Sequence, residues 1–264
     1  MLRSINDLKN YSIKASDGSV GEVKDFLFDD LAWVIRYFVV ETGTWLSSSK
    51  VLISPIAIQE PNWEERNFPV LLTKEQVRDS PDIDTDKPVS RQHEMDYHRY
   101  YGYSYYWGGA GFWGGGMYPY SLYPGFASSP LEQEGSPVAN RAHDLAEHIH
   151  DEDPNLRSCQ AIVGYHIHLS DGDLGHVSGF IVEEGTWAVR YLIADTSNWW
   201  GGHKVLISPE WIEEVRWGDN SVSIDLTRQS VKEAPVFEST EQLDRQYEEK
   251  VHDHYGLVAY WPEF

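Results

Sequence analysis

A shift of 154 residues lays this chain on itself without a gap, and a stretch that recurs in this way is read first as a unit that folds twice. Leu2-Arg3-Ser4 falls on Leu156-Arg157-Ser158, Ser16-Asp17-Gly18 on Ser170-Asp171-Gly172, and Lys50-Val51-Leu52-Ile53-Ser54-Pro55 on Lys204-Val205-Leu206-Ile207-Ser208-Pro209. Between these anchors Gly21, Val23, Phe26, Trp33, Arg36, Tyr37 and Trp45 recur as Gly175, Val177, Phe180, Trp187, Arg190, Tyr191 and Trp199. Further on, Leu72-Thr73, Arg91-Gln92, Tyr101-Gly102 and Tyr106-Trp107 recur as Leu226-Thr227, Arg245-Gln246, Tyr255-Gly256 and Tyr260-Trp261. Roughly a third of the paired positions are identical, far above chance for an ungapped match of this length. The organisation expected is a first domain over residues 1–107, a linker over 108–155 that is Gly/aromatic-rich and then acidic, and a second domain over 156–264.

Within each repeat the patterning is mostly that of strands. Tyr11, Ile13 and Ala15 alternate up to the Asp17-Gly18 turn signal, and Gly21 to Asp29 reads as the returning strand, with Gly21 where a bulge or sharp bend would curl a small sheet. Trp33 to Val40 is apolar on both faces, which marks a central strand, and Arg36 or Arg190 inside it needs a carboxylate. Glu41 and Asp195, or Asp29 and Glu183, are the candidates. Lys50 to Ile53 and Phe68 to Leu72 supply two more strands. Thr73 is placed to cap a short helix that stops by Pro81, and a second helix over about Arg91 to Tyr101 ends at a Tyr-Gly pair suited to a C-cap.

The order Ser-Asp-Gly, Gly-x-Val, Phe, Trp-x-x-Arg-Tyr, Lys-Val-Leu-Ile-Ser-Pro resembles PRC-barrel proteins, and both repeats carry it. That family includes the cytoplasmic domain of the photosynthetic reaction centre H subunit and the C-terminal domain of bacterial ribosome maturation factors. The resemblance implies a fold that is mainly β with short helices, here as two tandem small PRC-like β-barrels related by a pseudo-two-fold. The role it implies is packing against other proteins, not performing chemistry, and it brings no catalytic motif to transfer. Neither an N-terminal membrane helix like that of the H subunit nor an RNA-associated domain like that of the maturation factors is expected from these residues.

Charge narrows the partners. With 42 acidic against 21 basic side chains, a net charge of −21, the chain repels phosphate backbones, so nucleic acid is not expected as a ligand. No apolar stretch approaches the roughly 20 residues that span a bilayer, and the N-terminus lacks a signal-peptide core, so neither export nor membrane insertion is expected. The single cysteine, Cys159, cannot form an internal disulfide and fits a reducing cytoplasm. No Ser-His-Asp or Cys-His set, phosphate loop, dinucleotide fingerprint or paired-cysteine metal spacing can be picked out, so no enzyme and no cofactor is expected.

Three sets of residues remain as candidate sites. Trp45, Trp199 and Trp200 on a loop between strands, with Tyr106, Trp107, Tyr260 and Trp261 at the ends of the repeats, are interface candidates. The Gly/Tyr-rich run from Tyr100 to Phe126 is poor in aliphatics and of a composition that is usually flexible; it reads either as an adhesive arm or as a tether whose first aromatics cover the domain's own surface. His143, His148 and His150 among linker carboxylates, and His166, His168 and His176 on neighbouring strands, are candidate metal ligands, with a solvated polar surface as the plain alternative. The sequence thus points to an adaptor or scaffold that binds an unidentified protein, with self-association open. The alternative is a metal or small-molecule binder that uses the cleft between the domains or the histidine clusters.

Overall fold

A computed structural model describes residues 1–46, 49–81, 89–107, 109, 111–124, 156–196, 202–258 and 260–261. In chain order the first repeat forms β1 (Leu2–Ser4), α1 (Ile5–Leu8), β2 (Ser12–Ala15), β3 (Gly18–Asp29), β4 (Val34–Thr42), β5 (Lys50–Ile53), β6 (Asn67–Pro69), α2 (Lys74–Arg78) and α3 (Arg91–Tyr101). The second forms β7 (Leu156–Ser158), α4 (Cys159–Ile162), β8 (His166–Leu169), β9 (Gly172–Glu183), β10 (Val189–Asp195), β11 (Lys204–Ile207), β12 (Ile212–Arg216), β13 (Ser221–Ile224), α5 (Arg228–Lys232) and α6 (Arg245–Tyr255). The fold is mainly β, with two sheets and a few short helices. One sheet runs β5-β4-β3-β2-β6 and the other β11-β10-β9-β8-β13-β12, and neither path closes on itself among the described residues.

The local chemistry accounts for most of these elements. In α2, the Thr73 hydroxyl accepts from the Gln76 amide while the Gln76 side chain bonds back to the Thr73 amide, a complete capping box. Helices α3 and α6 end at Gly102 and Gly256, both left-handed. Strand β3 bends through register shifts between Val23 and Asp25 and between Leu27 and Phe28. Its close approach to β4 demands glycine at position 21, where a Cβ would sit 2.1 Å from the Glu41 carbonyl oxygen; Gly175 meets Asp195 in the same way at 2.0 Å. Strand β4 starts at Val34 and not at Trp33, because Trp33 is left-handed (φ 53°), as is Trp187 (φ 60°). Strand β6 ends at Pro69 and pairs with β2 in parallel, as β13 does with β8, an arrangement no local pattern announces.

The compact bodies do not coincide with the sequence repeats. The first body contains Leu8–Ser158 and Gly185–Ala188; the second contains Met1–Asp7, Cys159–Glu184 and Val189–Phe264. In the first body, β7 extends the sheet along the far half of β3, with Leu27 opposite Ser158 and Asp29 opposite Leu156. In the second, β1 does the same along β9, with Leu2 opposite Glu183 and Ser4 opposite Ile181. Each short strand brings its own anchor. Arg157 pairs with Asp30 at 3.2 Å inside the first body, and Arg3 with Glu184 at 2.5 Å inside the second. The two copies of Leu-Arg-Ser are thus exchanged between the repeats.

The core of the first body is aromatic. Phe38 lies edge-on to Phe26 (4.9 Å between ring centroids) and to Phe68 (5.2 Å), and Trp187, contributed by the second repeat, packs on Phe38 at 4.8 Å and on Phe68 at 5.9 Å. In the second body the first repeat contributes Leu2 to a cluster with Ile181, Tyr191, Ile193, Leu206, Phe237 and Val251.

Of the two readings of the Gly/Tyr-rich run, the second holds for its first aromatics: its described residues up to Pro124 are folded onto the first body. Bridges Gly111–Gly114 and Trp113–Gly116 tie a tight loop, and a 3₁₀ turn covers Pro119–Leu122. Trp113 is fully buried and donates its indole N–H to the Thr186 carbonyl at 2.8 Å. One indole here buries a large apolar area in a segment poor in aliphatic side chains. No helix among the described residues is long and apolar enough to cross a membrane.

Candidate functional site

The helix α3 lies over its sheet with a buried face that is unusually polar: Glu94, Met95, Tyr97 and His98. Ser90 fixes its start by accepting from the His93 amide, and Gly102 fixes its end. Opposite Glu94 and His98 stands Arg36 of β4, 3% exposed, paired with Asp29 of β3 at 3.1 Å. Asp29 is itself held by the amides of Leu31 and Ala32, each at 3.1 Å. The Arg36 guanidinium also donates to the Phe112 carbonyl and lies 3.8 Å from the centre of the Tyr106 ring and 4.8 Å from that of Trp113. Of the carboxylates the sequence offers, Asp29 takes Arg36 and Glu183 takes Arg190 (2.5 Å). Glu41 instead lies 3.8 Å from Lys24, and Asp195 stands opposite Lys204 in the β10–β11 register. The reason is reach: Asp29 and Glu183 sit one strand over, close to the arginine, whereas Glu41 lies five residues further along β4, at about 3.3 Å of rise per residue.

From Arg36 the network continues through Glu94. Its Oε1 accepts from the Tyr106 hydroxyl, and its Oε2 pairs with Arg91 at 2.8 Å. Tyr37 places its hydroxyl oxygen 3.3 Å from Glu94 Oε1 and 3.1 Å from His98 Nε2, but it has one proton to give. His98 Nδ1 lies 2.9 Å from the Ser104 carbonyl, which can only accept, so Nδ1 carries the imidazole hydrogen and Nε2 is the acceptor of the Tyr37 proton. A Glu94 that bonds Tyr37 as well must then hold a proton. Burial pushes the Glu94 carboxyl in that direction, up to about 7, against the pull of Arg91 and Tyr106. Burial also pushes His98 down, to about 3, and raises the Tyr37 and Tyr106 hydroxyls above their usual range.

These two shifts act on stability with opposite signs. Native Glu94 holds its proton more tightly than the unfolded carboxyl near 4.5, so its contribution is full below that value and is lost as pH rises through about 7. Native His98 holds its proton less tightly than the unfolded imidazole near 6.5, so its contribution is full above 6.5 and is lost as pH falls towards about 3. Between 4.5 and 6.5 the two oppose each other. Denaturant unfolding across this window should therefore show stability rising with pH in Glu94→Gln and falling with pH in His98→Gln, relative to the native chain. Each slope should be at most about 1.4 kcal/mol per pH unit. Parallel profiles in the two variants would contradict the assignment.

The second body repeats the network at the offset of the sequence repeat. Arg190 pairs with Glu183 and lies 3.8 Å from the centre of the Tyr260 ring. Glu248 accepts from Tyr260 at 2.5 Å and lies 3.3 Å from the Tyr191 hydroxyl, which is 2.8 Å from His252 Nε2; Arg245 reaches Glu248 at 3.1 Å. Burial lowers the His252 pKa as it does that of His98. This copy is more open: the Arg190 side chain is 16% exposed and Arg245 48%, against 3% for Arg36 and 15% for Arg91. Trp113, which seals the first network, has no counterpart among the described residues of the second body.

The interface candidates fall mostly inside this construction. Tyr106 is buried, Trp107 stacks on Tyr105 (4.5 Å) under Arg91 (4.4 Å), and Trp261 lies under Arg245 (4.0 Å). Trp45 is half-buried, its indole N–H donating to the Val20 carbonyl at 2.6 Å and its ring lying 4.4 Å from the Lys74 ammonium. Trp199 and Trp200, and His143, His148 and His150, lie outside the described residues. The outward-facing apolar side chains are others. Met117, Tyr118 and Tyr120 are each more than 40% exposed, and the two tyrosine rings stack at 5.4 Å and 9°. The ledge falls in the Gly/Tyr-rich run that the sequence offered as an adhesive arm, whereas the network as a unit was missed. The available signal was that Arg36, Tyr37, Arg91, Glu94, His98 and Tyr106 all recur unchanged as Arg190, Tyr191, Arg245, Glu248, His252 and Tyr260. The second body also carries an open groove of about 430 Å³ lined by Val236, Asp244, Tyr247 and Lys250 among others, none of them a network residue.

No curated protein matches the chain. The family model described as the PRC-barrel domain matches residues 2–77, a stretch that runs from β1 to the end of α2. The first repeat is thus similar to PRC-barrel domains over residues 2–77.

Proposed function

We propose that the chain is a non-enzymatic adaptor that binds another protein, built from two PRC-type, partly closed barrels in tandem. The observation that carries this reading is the use made of the titratable groups. Arg36, Glu94 and His98 have the identities of a catalytic set, but all three are buried, bonded to one another's neighbours and covered by Tyr106 and Trp113. The same set recurs in the second body. A network repeated in both bodies and sealed by Trp113 in the first suits a clamp that holds a helix and an aromatic cover against a sheet; a reaction centre would need access for substrate.

A face that suits a partner is the ledge of Met117, Tyr118 and Tyr120 on the first body, an apolar patch of the kind that interfaces are built on. The net charge of −21 favours a partner with a basic rim. The reading is tested by immobilising the full chain and the double variant Tyr118→Ser/Tyr120→Ser in extract of its native cell. A protein held by the native chain and lost by the variant, with the unfolding midpoint unchanged, is the expected result. Equal retention by both, or catalytic turnover that the ledge variant keeps, would overturn it.

A further inference from the structure

Across the second body's sheet the register sets one row of side chains on a common face: Ser221 on β13, His166 on β8, His176 on β9, Asp195 on β10 and Lys204 on β11. Directly opposed residues on neighbouring antiparallel strands have Cβ atoms about 4.5–5.5 Å apart, a spacing that lets two imidazoles turn towards one ion. His166 is exposed and His176 half-buried, and neither side chain bonds to a described residue. Two positions along β8, His168 offers Nδ1 to Asp173 at 2.6 Å, which leaves Nε2 outward. A carboxylate behind an imidazole in this way fixes its tautomer and raises its basicity as a ligand.

The first body shows what the same row looks like as plain surface. There the positions of His166, His168 and His176 hold Ser12, Lys14 and Glu22, and Lys24 neutralises Glu22 at 2.7 Å and reaches Glu41 at 3.8 Å. The backbone register is the same in both copies, so the difference lies in the side chains alone. Three imidazoles have been gathered on one exposed face where the sister repeat has none.

We propose that His166 and His176 form a cross-strand chelate for a divalent transition ion of the Zn²⁺ type, with His168 beside it as a third imidazole held by Asp173. Among the described residues no group of three or more His, Cys, Asp or Glu side chains is set to hold a metal, so the ion takes two protein nitrogens and completes its shell with water. Imidazole donors select zinc, nickel or copper over calcium and magnesium, which take oxygen ligands. This site is independent of the adaptor reading.

The test is titration of the full chain, carrying no polyhistidine tag, with ZnCl₂ by calorimetry and native mass spectrometry. One ion per chain is expected, unaffected by excess Ca²⁺ or Mg²⁺. His166→Ser and His176→Gln should each weaken it about tenfold or more, and the triple variant His143→Ala/His148→Ala/His150→Ala should leave it unchanged. Ser12→His with Glu22→His should create a second site and raise the count to two. Zinc affinity indifferent to His166→Ser, binding lost only in the linker triple variant, or no zinc bound at all would overturn the proposal, as would a count that stays at one in the Ser12→His/Glu22→His chain.

Discussion

Trp187→Ala should destabilise the first body by about 3–5 kcal/mol, although position 187 belongs to the second repeat. Its indole is 4% exposed and edge-on to Phe38 and Phe68, the two rings at the centre of the first body's core. Its carbonyl accepts from the Ile35 amide at 2.9 Å, and its neighbour Thr186 accepts from the Trp113 indole. Truncation opens a cavity among rigid rings that cannot collapse into it, which places the change at the costly end of large-to-small substitutions. Denaturant unfolding with hydrogen exchange at the β4 amides reads the effect directly. Strand β4 is expected to lose protection first. A loss below about 1 kcal/mol, or one confined to β8–β10, would mean that the second repeat does not complete the first body's core.

Arg36→Ala should cost about as much, for a different reason. The substitution leaves Asp29 buried without its cation, and breaking one side of a buried ion pair typically costs about 3–5 kcal/mol. It also removes the donor to the Phe112 carbonyl and the cation under Tyr106 and Trp113, so the aromatic cover loses its anchor. Arg190→Ala at the equivalent position should cost only about 1 kcal/mol, because Glu183 is 26% exposed and water replaces the lost partner. The contrast between two arginines at equivalent positions of the repeat, one paired with Asp29 and one with Glu183, reads how much the Phe112–Trp113 cover contributes by excluding water.

Much of this architecture is legible in the residues. The Thr73 cap, the Gly102 stop and the bend at Gly21 depend on neighbours a few positions away or on one steric requirement, and local chemistry fixes them. Arg36 declares its need for a carboxylate because a guanidinium in an apolar strand has few alternatives. Which carboxylate it takes depends on strand register, which the sequence leaves open between Asp29 and Glu41. The exchange of β1 and β7 was not legible, since three residues are too few to show a period and both copies read alike. Either partner strand would satisfy the pattern; only the tertiary fold selects the one from the other repeat. The burial of Trp113 was hidden for a related reason. A Gly-rich run without aliphatics looks unable to pack, yet glycines at 111, 114 and 116 make the bridges that seat one large ring.

That the polar network is a clamp for this cover is tested most directly at the Trp113 indole N–H, through its hydrogen exchange in the native chain and in Arg36→Met. The native indole, bonded to Thr186 and fully buried, is expected to exchange only on global unfolding, and in the variant to exchange orders of magnitude faster while the amides of β3 and β4 remain protected. An indole equally protected in both chains would contradict the clamp and return Arg36, Glu94 and His98 to the search for chemistry.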